Sequence, residues 1–363
     1  MSNDYYTTYL RLRPEDEEGG FPKPRFSVQE LMQHLVTGKE TIIGEDLFAF
    51  SDLSRADATL VRREWPLLPL KQRQALVRAL VDLALDDIDW HLGRFLRVVL
   101  DDPDEQVRRT AIDGLWEETE AELLGPLVQI LQQDTSVAVR SAAAKALGAY
   151  VLAGELDELD AALAMRAEEV LLSILQNPDE PIAVQASALE SIAYSGETGV
   201  RQLIEDSYYS PHEELRISAL IAMGHSADTR WRGLARAELQ NPSARMRAEA
   251  ARACGELEVK KAEPDLLSLL VDEDQGVRLA AIAALGHLGG RRVREALRAL
   301  TAGEETVEAE AAASALEEML FLDDNDGITL LDEDEADEGD DPDFAPWDAT
   351  DNFDDEALGT YDQ

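Results

Sequence analysis

Cysteine is nearly missing from this chain of 363 residues: Cys254 is the only one. A single thiol rules out an intramolecular disulfide framework and suits a reducing compartment. Histidine is also scarce, with five residues, so there is little material for metal chemistry. No apolar run approaches the roughly 18 residues of a membrane span. The first residues, Met1 to Tyr6, lack the basic and apolar regions of a signal peptide. These absences make the cytoplasm the expected location and predict no membrane association. Basic residues are outnumbered too: 33 Lys and Arg stand against 75 Asp and Glu, for a net charge of −42. A field of that sign repels nucleic acid and favours a protein partner with a basic segment.

What is abundant is helix-forming material, rich in Ala and Leu, and it is periodic. The stretch Val277 to Gly286 is the clearest unit. From Arg278, steps of 31 residues lead back to Arg247, Arg216 and Gln185, and longer steps to Arg140 and Arg108. A period of this length built from helix pairs predicts an all-α, right-handed α-solenoid of six or seven helical hairpins. Six residues before each anchor stand Asp102, Asp134, Asp179, Ser210, Asn241 and Asp272, all turn or cap types. Pro103, Pro178, Pro211 and Pro242 stand beside four of them. Three residues after the anchors come Ala111, Ala143, Ala188, Ala219, Ala250 and Ala281, small enough for close helix approach. Seven after come the core knobs Leu115, Leu147, Ile192, Met223, Cys254 and Leu285. Gly148, Gly224, Gly255 and Gly286 follow, and are expected to give each helix a flexible or left-handed end.

Four regions are expected. Residues 1–26 form an irregular arm, in which Tyr5, Tyr6, Tyr9 and Leu10 either dock on the first helices or stay disordered. Residues 27–90 form a helical cap, a degenerate first repeat being one form it can take. The array spans 91–321, and its 45-residue step marks an insertion at about 150–163, either an extra amphipathic helix or a lengthened turn. Residues 322–363 hold 18 acids and no base, which predicts a disordered tail.

These repeats resemble the HEAT-like repeat named after phycobilisome lyases, within the HEAT/armadillo superfamily. The resemblance rests on the pattern Asp, a spacer, Val-Arg, then Ala-x-x-Ala-Leu-Gly, as in Asp272 to Gly286, and covers about 91–320. It implies a binding scaffold more than an activity. Two enzymes share the architecture. Phycobilin lyases attach or detach a tetrapyrrole, and nothing beyond the repeat supports that here. Deoxyhypusine hydroxylase holds two irons on several His-Glu pairs, whereas this chain has one such pair, His212-Glu213.

The expected function is therefore a non-enzymatic protein–protein scaffold, with a lyase-like enzyme or enzyme subunit as the alternative. No catalytic, cofactor or metal residues are nominated. Cys254 reads as a small buried hydrophobe. The anchors Arg108, Arg140, Arg216, Arg247 and Arg278 read as a structural ladder of Arg–Asp and Arg–carbonyl bonds, or in part as a groove for an acidic peptide. Arg230, Lys261 and Arg292 recur every 31 residues, with Arg232, Arg236, Lys260, Arg291, Arg294 and Arg298 around them. Cations at helix starts oppose the macrodipole, so they do not serve those helices. They form either a partner-binding ridge or a solvated edge. In the tail, Phe344, Trp347, Phe353 and Tyr361 are set singly among acids, like short recognition segments, unless the tail only solubilises. Second helices are expected to line the concave side. The sequence does not fix the oligomeric state.

Overall fold

A computed structural model describes residues 24–38, 42, 44–86, 89–116, 118–302 and 306–326. The tail residues Phe344, Trp347, Phe353 and Tyr361, like Tyr5, Tyr6, Tyr9 and Leu10, lie outside the described residues. Among the described residues every regular element is a helix, with short 3-10 turns between some of them.

Helix α1, Val28–Thr37, opens on a capping box: Ser27 accepts from the Glu30 amide while the Glu30 carboxylate accepts from the Ser27 amide. Short α2, Gly44–Leu47, follows. Next come α3, Arg55–Glu64, and α4, Leu70–Asp86. Six clear hairpins then pair first and second helices. They are α5 (Gly93–Val99) with α6 (Glu105–Asp113), α7 (Ala121–Gln133) with α8 (Val137–Glu155), and α9 (Ala161–Leu175) with α10 (Ile182–Ile192). Then come α11 (Thr198–Tyr208) with α12 (Glu213–His225), α13 (Arg232–Ala237) with α14 (Ala244–Glu256), and α15 (Glu263–Leu269) with α16 (Gln275–Leu288). The alternation ends with α17, Arg291–Thr301, and α18, Val307–Asp326. The chain is an α-solenoid.

Each first helix sits beside its own partner, while the second helices pack on one another in an unbroken series from α4 to α16. Alanine makes that layer possible. Ala111, Ala143, Ala188, Ala219, Ala250 and Ala281 are all 0% exposed, in the core that the second helices share. The knobs Leu147, Ile192, Met223, Cys254 and Leu285 are equally sealed, each such large side chain contributing about 1.5–3 kcal/mol of burial.

The degenerate start proves to be a stacked unit. Helix α3 packs on α5 and α4 on α6, as first and second helices do elsewhere. The extra residues after Ala149 form neither a separate helix nor a long turn. They lengthen α8 to 19 residues, against 13 in α12, and α9 to 15, against 11 in α11. Helix α8 ends only where Asp157 takes a left-handed conformation, φ 58°, and the Glu158 amide donates back to the Ala153 carbonyl.

The repeat glycines do something other than end helices. Gly148, Gly224, Gly255 and Gly286 lie inside their helices with negative φ, against the next second helix. A Cβ on Gly255 would stand 2.8 Å from the Ala284 Cα, which is backbone and cannot swing aside. The left-handed ends of α8, α12 and α14 are supplied by Asp157, Ala227 and Glu258, residues with a side chain, two positions after each helix. The sequence pattern showed small residues but not whether they served a turn or a contact. By contrast Gly125, in the middle of α7, has no atom within 4 Å of a built Cβ. Two substitutions separate the cases. Gly255→Ala should lower the denaturant midpoint, at about 1–3 kcal/mol for overpacking less about 1 kcal/mol gained in helix propensity. Gly125→Ala should raise it by up to about 1 kcal/mol. Equal responses at the two positions would contradict the close-contact role.

Candidate partner-binding surface

The anchor arginines are built into the turns. Arg108 donates from Nη1 to the carbonyls of Asp102 and Pro103, at 2.8 and 3.0 Å. Its Nε and Nη2 donate to both carboxylate oxygens of Asp134, in the next unit, at 2.8 Å each. Arg247 repeats this with the Asn241 and Pro242 carbonyls and with Asp272. Arg278 bonds the Asp272 and Glu273 carbonyls and pairs with Glu308. Arg140 pairs with Glu180 at 2.7 Å. The same carboxylates organise their own turns: Asp134 and Asp272 each accept from the amide two residues on. The link breaks twice. Gln185 reaches only carbonyls, and Arg216 only those of Ser210 and Pro211. With its fork occupied by carbonyls and carboxylate, an anchor such as Arg108 or Arg247 has no donor pair left for an acidic peptide.

One register needs correcting. The residue matching Asp102 and Asn241 in the fourth turn is Asn177, not Asp179. Asn177 accepts from the Asp179 amide, and its carbonyl accepts from Gln185. This turn is two residues longer, so counting back six from Gln185 lands late. Two members of the ladder lay outside the 31-residue register. Arg73 on α4 donates to Asp102 at 2.9 Å, and the buried carboxylate of Asp102 also accepts from the Trp65 indole at 2.6 Å. The step from Arg73 to Arg108 is 35 residues, which hid the match. Glu308 is the other: it supplies the carboxylate where the final unit lacks an arginine.

The residues at the repeat starts are partly engaged. Arg230 pairs with Asp228, Arg292 with Glu263, and Arg291 with Glu295. Arg232 donates to the Leu257 carbonyl, and Arg236 pairs with Asp265. Arg294 lies on the same edge and also has a partner. Lys260 and Lys261 are exposed at the α14–α15 turn. Cys254 is sealed in the core, and burial pushes its thiol up to about 12. His212 is the N-terminal cap residue of α12, and Glu213 accepts from Ser243.

A surface that the sequence did not suggest lies on the first helices. An open groove of about 1200 Å³ runs between α3, α5 and α7. Arg55, Thr59 and Arg62 form one stripe of α3 along it. Arg94 and Arg97 enter from α5, and Gly125, Pro126, Gln129 and Gln133 from α7. Arg97 pairs with Glu120 and Glu122, and Arg94 donates to the Leu53 carbonyl. The spacing of Arg55 and Arg62, two helical turns apart, was visible in the sequence. The neighbours that make them a wall were not.

A family model described as HEAT repeats matches residues 93–170 and 234–317. Over those two segments the chain is similar to HEAT repeats. Several solved structures are similar to the chain at low identity. Human deoxyhypusine hydroxylase in complex with glycerol is 20% identical, over 73% of this chain and 96% of that one, at a TM-score of 0.34. The complex of CpcE and CpcF of phycocyanin lyase from Nostoc sp. PCC7120 is 19% identical, over 62% and 94%, at 0.43. Kap121p bound to Ste12p is 14% identical, over 84% of this chain and 38% of that one, at 0.38. No curated protein matches significantly.

The ladder predicts how the HEAT array responds to mutation and to pH. Arg247 and Asp272 side chains are 12% and 10% exposed, so Asp272→Ala should cost about 3 kcal/mol by stranding the guanidinium. Asp265→Ala, which breaks the more exposed pair with Arg236, should cost about 0–1 kcal/mol. The Arg247 bond holds the Asp272 carboxyl below its usual range. For Asp134, burial opposes ionisation, but the bonds from Arg108 and Ser136 outweigh it and the carboxyl is again lowered. A lowered carboxyl stabilises the fold fully above its unfolded value of 3.8 and loses that contribution as pH falls through the folded value. Burial raises Glu118 and Glu168, the first reinforced by Glu120 and the second opposed by Ser195. These groups work the other way, gaining stability as pH falls from neutral. The denaturant midpoint should therefore rise from about pH 7 to about pH 5 and fall below about pH 4, with a shallower acid limb in Asp272→Asn. A midpoint that rises steadily down to about pH 3 would exclude this assignment.

Proposed function

We propose that this chain is a non-enzymatic scaffold of the cytoplasm that binds another protein along its HEAT array. The observation that supports it best is the open groove over α3, α5 and α7, which spans three stacked units. Its walls are polar and carry guanidinium and amide groups, which suit a chain segment lying across several helices. A small-molecule site would be concave and largely apolar. The excess of acid over the whole chain, −42, favours a partner with a basic surface and speeds its approach. Lys260 and Lys261, together with the more exposed members of the same edge, Arg230, Arg291 and Arg292, offer a secondary contact. The acidic tail with Phe344, Trp347, Phe353 and Tyr361 offers another.

Two measurements test this. The purified chain should be colourless and free of stoichiometric metal. A bound chromophore or iron would overturn the scaffold reading in favour of the enzyme-subunit alternative. Cross-linking of the partner captured from the source cells should then place contacts on α3, α5 and α7. Capture by a chain ending at Leu322, compared with the full chain, assigns or removes the tail contribution.

A further inference from the structure

We propose that the groove over α3, α5 and α7 takes an extended acidic peptide segment of the partner, an inference that rests on the scaffold reading above. The first support is the state of the arginines. Arg55 and Arg62 are exposed on the groove-facing stripe of α3, and among the described residues neither guanidinium has a hydrogen bond or ion pair. This is so in a chain with 75 acids available to pair them. Arg94 donates to the Leu53 carbonyl, a neutral acceptor that leaves its charge uncompensated. Arg97 and Arg108, deeper in the groove, are neutralised by Glu120, Glu122 and Asp134. Free cationic charge is therefore concentrated along the α3 wall, where carboxylates can take charge-assisted bonds from the guanidinium forks.

The second support is the floor. Gly125 stands inside α7 with open space where a Cβ would be, so packing does not require it. It costs α7 about 1 kcal/mol relative to Ala, and its effect is to bare the helix backbone to the groove. Pro126 has no amide hydrogen, so the Glu122 carbonyl lacks its helical donor and can accept from a ligand. Gln129 and Gln133, one and two turns on, present amide groups that both donate and accept. An extended backbone offers alternating donors and acceptors to such a floor, while its acidic side chains reach α3. Asp101, Glu120 and Glu122 also line the groove, two of them paired with the single charge of Arg97, so carboxylates are repelled beside them and drawn to α3. The chain's net −42 does not forbid this. At physiological salt charges are screened beyond about 8 Å, so the groove arginines dominate at contact while the distant acids act only on approach.

The test uses the full chain and a fluorescein-labelled Glu/Ser peptide, read by anisotropy beside its Lys/Ser counterpart. The Glu/Ser peptide should bind. Arg55→Glu with Arg62→Glu should weaken it by about tenfold or more, roughly the loss of one charge-assisted contact. Gly125→Leu, whose side chain enters open space, should do the same by occupying the floor. Lys71→Glu with Arg245→Glu, two exposed basic residues that do not line the groove, should leave the affinity unchanged. No binding of the Glu/Ser peptide, equal binding of the Lys/Ser peptide, or indifference to the groove substitutions overturns the proposal. If these fail while partner cross-links to α3, α5 and α7 persist, the scaffold reading stands and only the acidic segment falls. A bound chromophore or iron overturns both.

Discussion

The interaction on which the array most depends is the arginine fork at the turn. One guanidinium does two jobs at once. Its Nη1 satisfies carbonyls that the turn would otherwise leave without donors, and its Nε and Nη2 grip the carboxylate that organises the next turn. Each unit with such a fork thus closes its own hairpin and fixes the register of its neighbour. Lysine could supply the charge but not the planar fork. A neutral glutamine at position 185 keeps the carbonyl bonds and loses the inter-unit grip.

The ladder is not uniform. Paired junctions run from Arg73 to Glu180 and again from Arg247 to Glu308. Between them, at Gln185 and Arg216, the stack relies on helix packing and on bonds such as Tyr208 to Glu238 and Ser243 to Glu213. The two segments matched by the HEAT family model, 93–170 and 234–317, leave out much of the same middle region. In a solenoid each unit contacts only its neighbours, so the missing ion pairs stay local to these two junctions, where the second helices still pack on one another.

Electrostatics act at two ranges. The summed charge sets what approaches, and the groove sets what stays. Acids such as Asp134 and Asp272 are paired within the turns, whereas among the described residues the guanidinium groups of Arg55 and Arg62 on the α3 wall have no partner. Counting charges along the chain describes the first range and hides the second, because α3, α5 and α7 come together only through stacking.

The sequence alone determined the all-α repeat, its period, the buried alanine and knob positions, and the pairing of helices. These follow from local spacing: small residues three after the anchor and large ones seven after it must share a helix face. It also exposed the arginine series and the turn residues before it. Tertiary structure decided everything that needed a neighbour. The repeat glycines serve contact between second helices, since Gly255 sits against the Ala284 backbone and Glu258 makes the left-handed turn. The insertion lengthens two helices because nothing stops α8 before Asp157. Arg73 and Glu308 join the ladder from outside its register, because distance in space and not a fixed step decides what a guanidinium meets. Arg55 and Arg62 in the degenerate start, and Gly125 in a first helix of the array, were ordinary residues until stacking placed them around one groove.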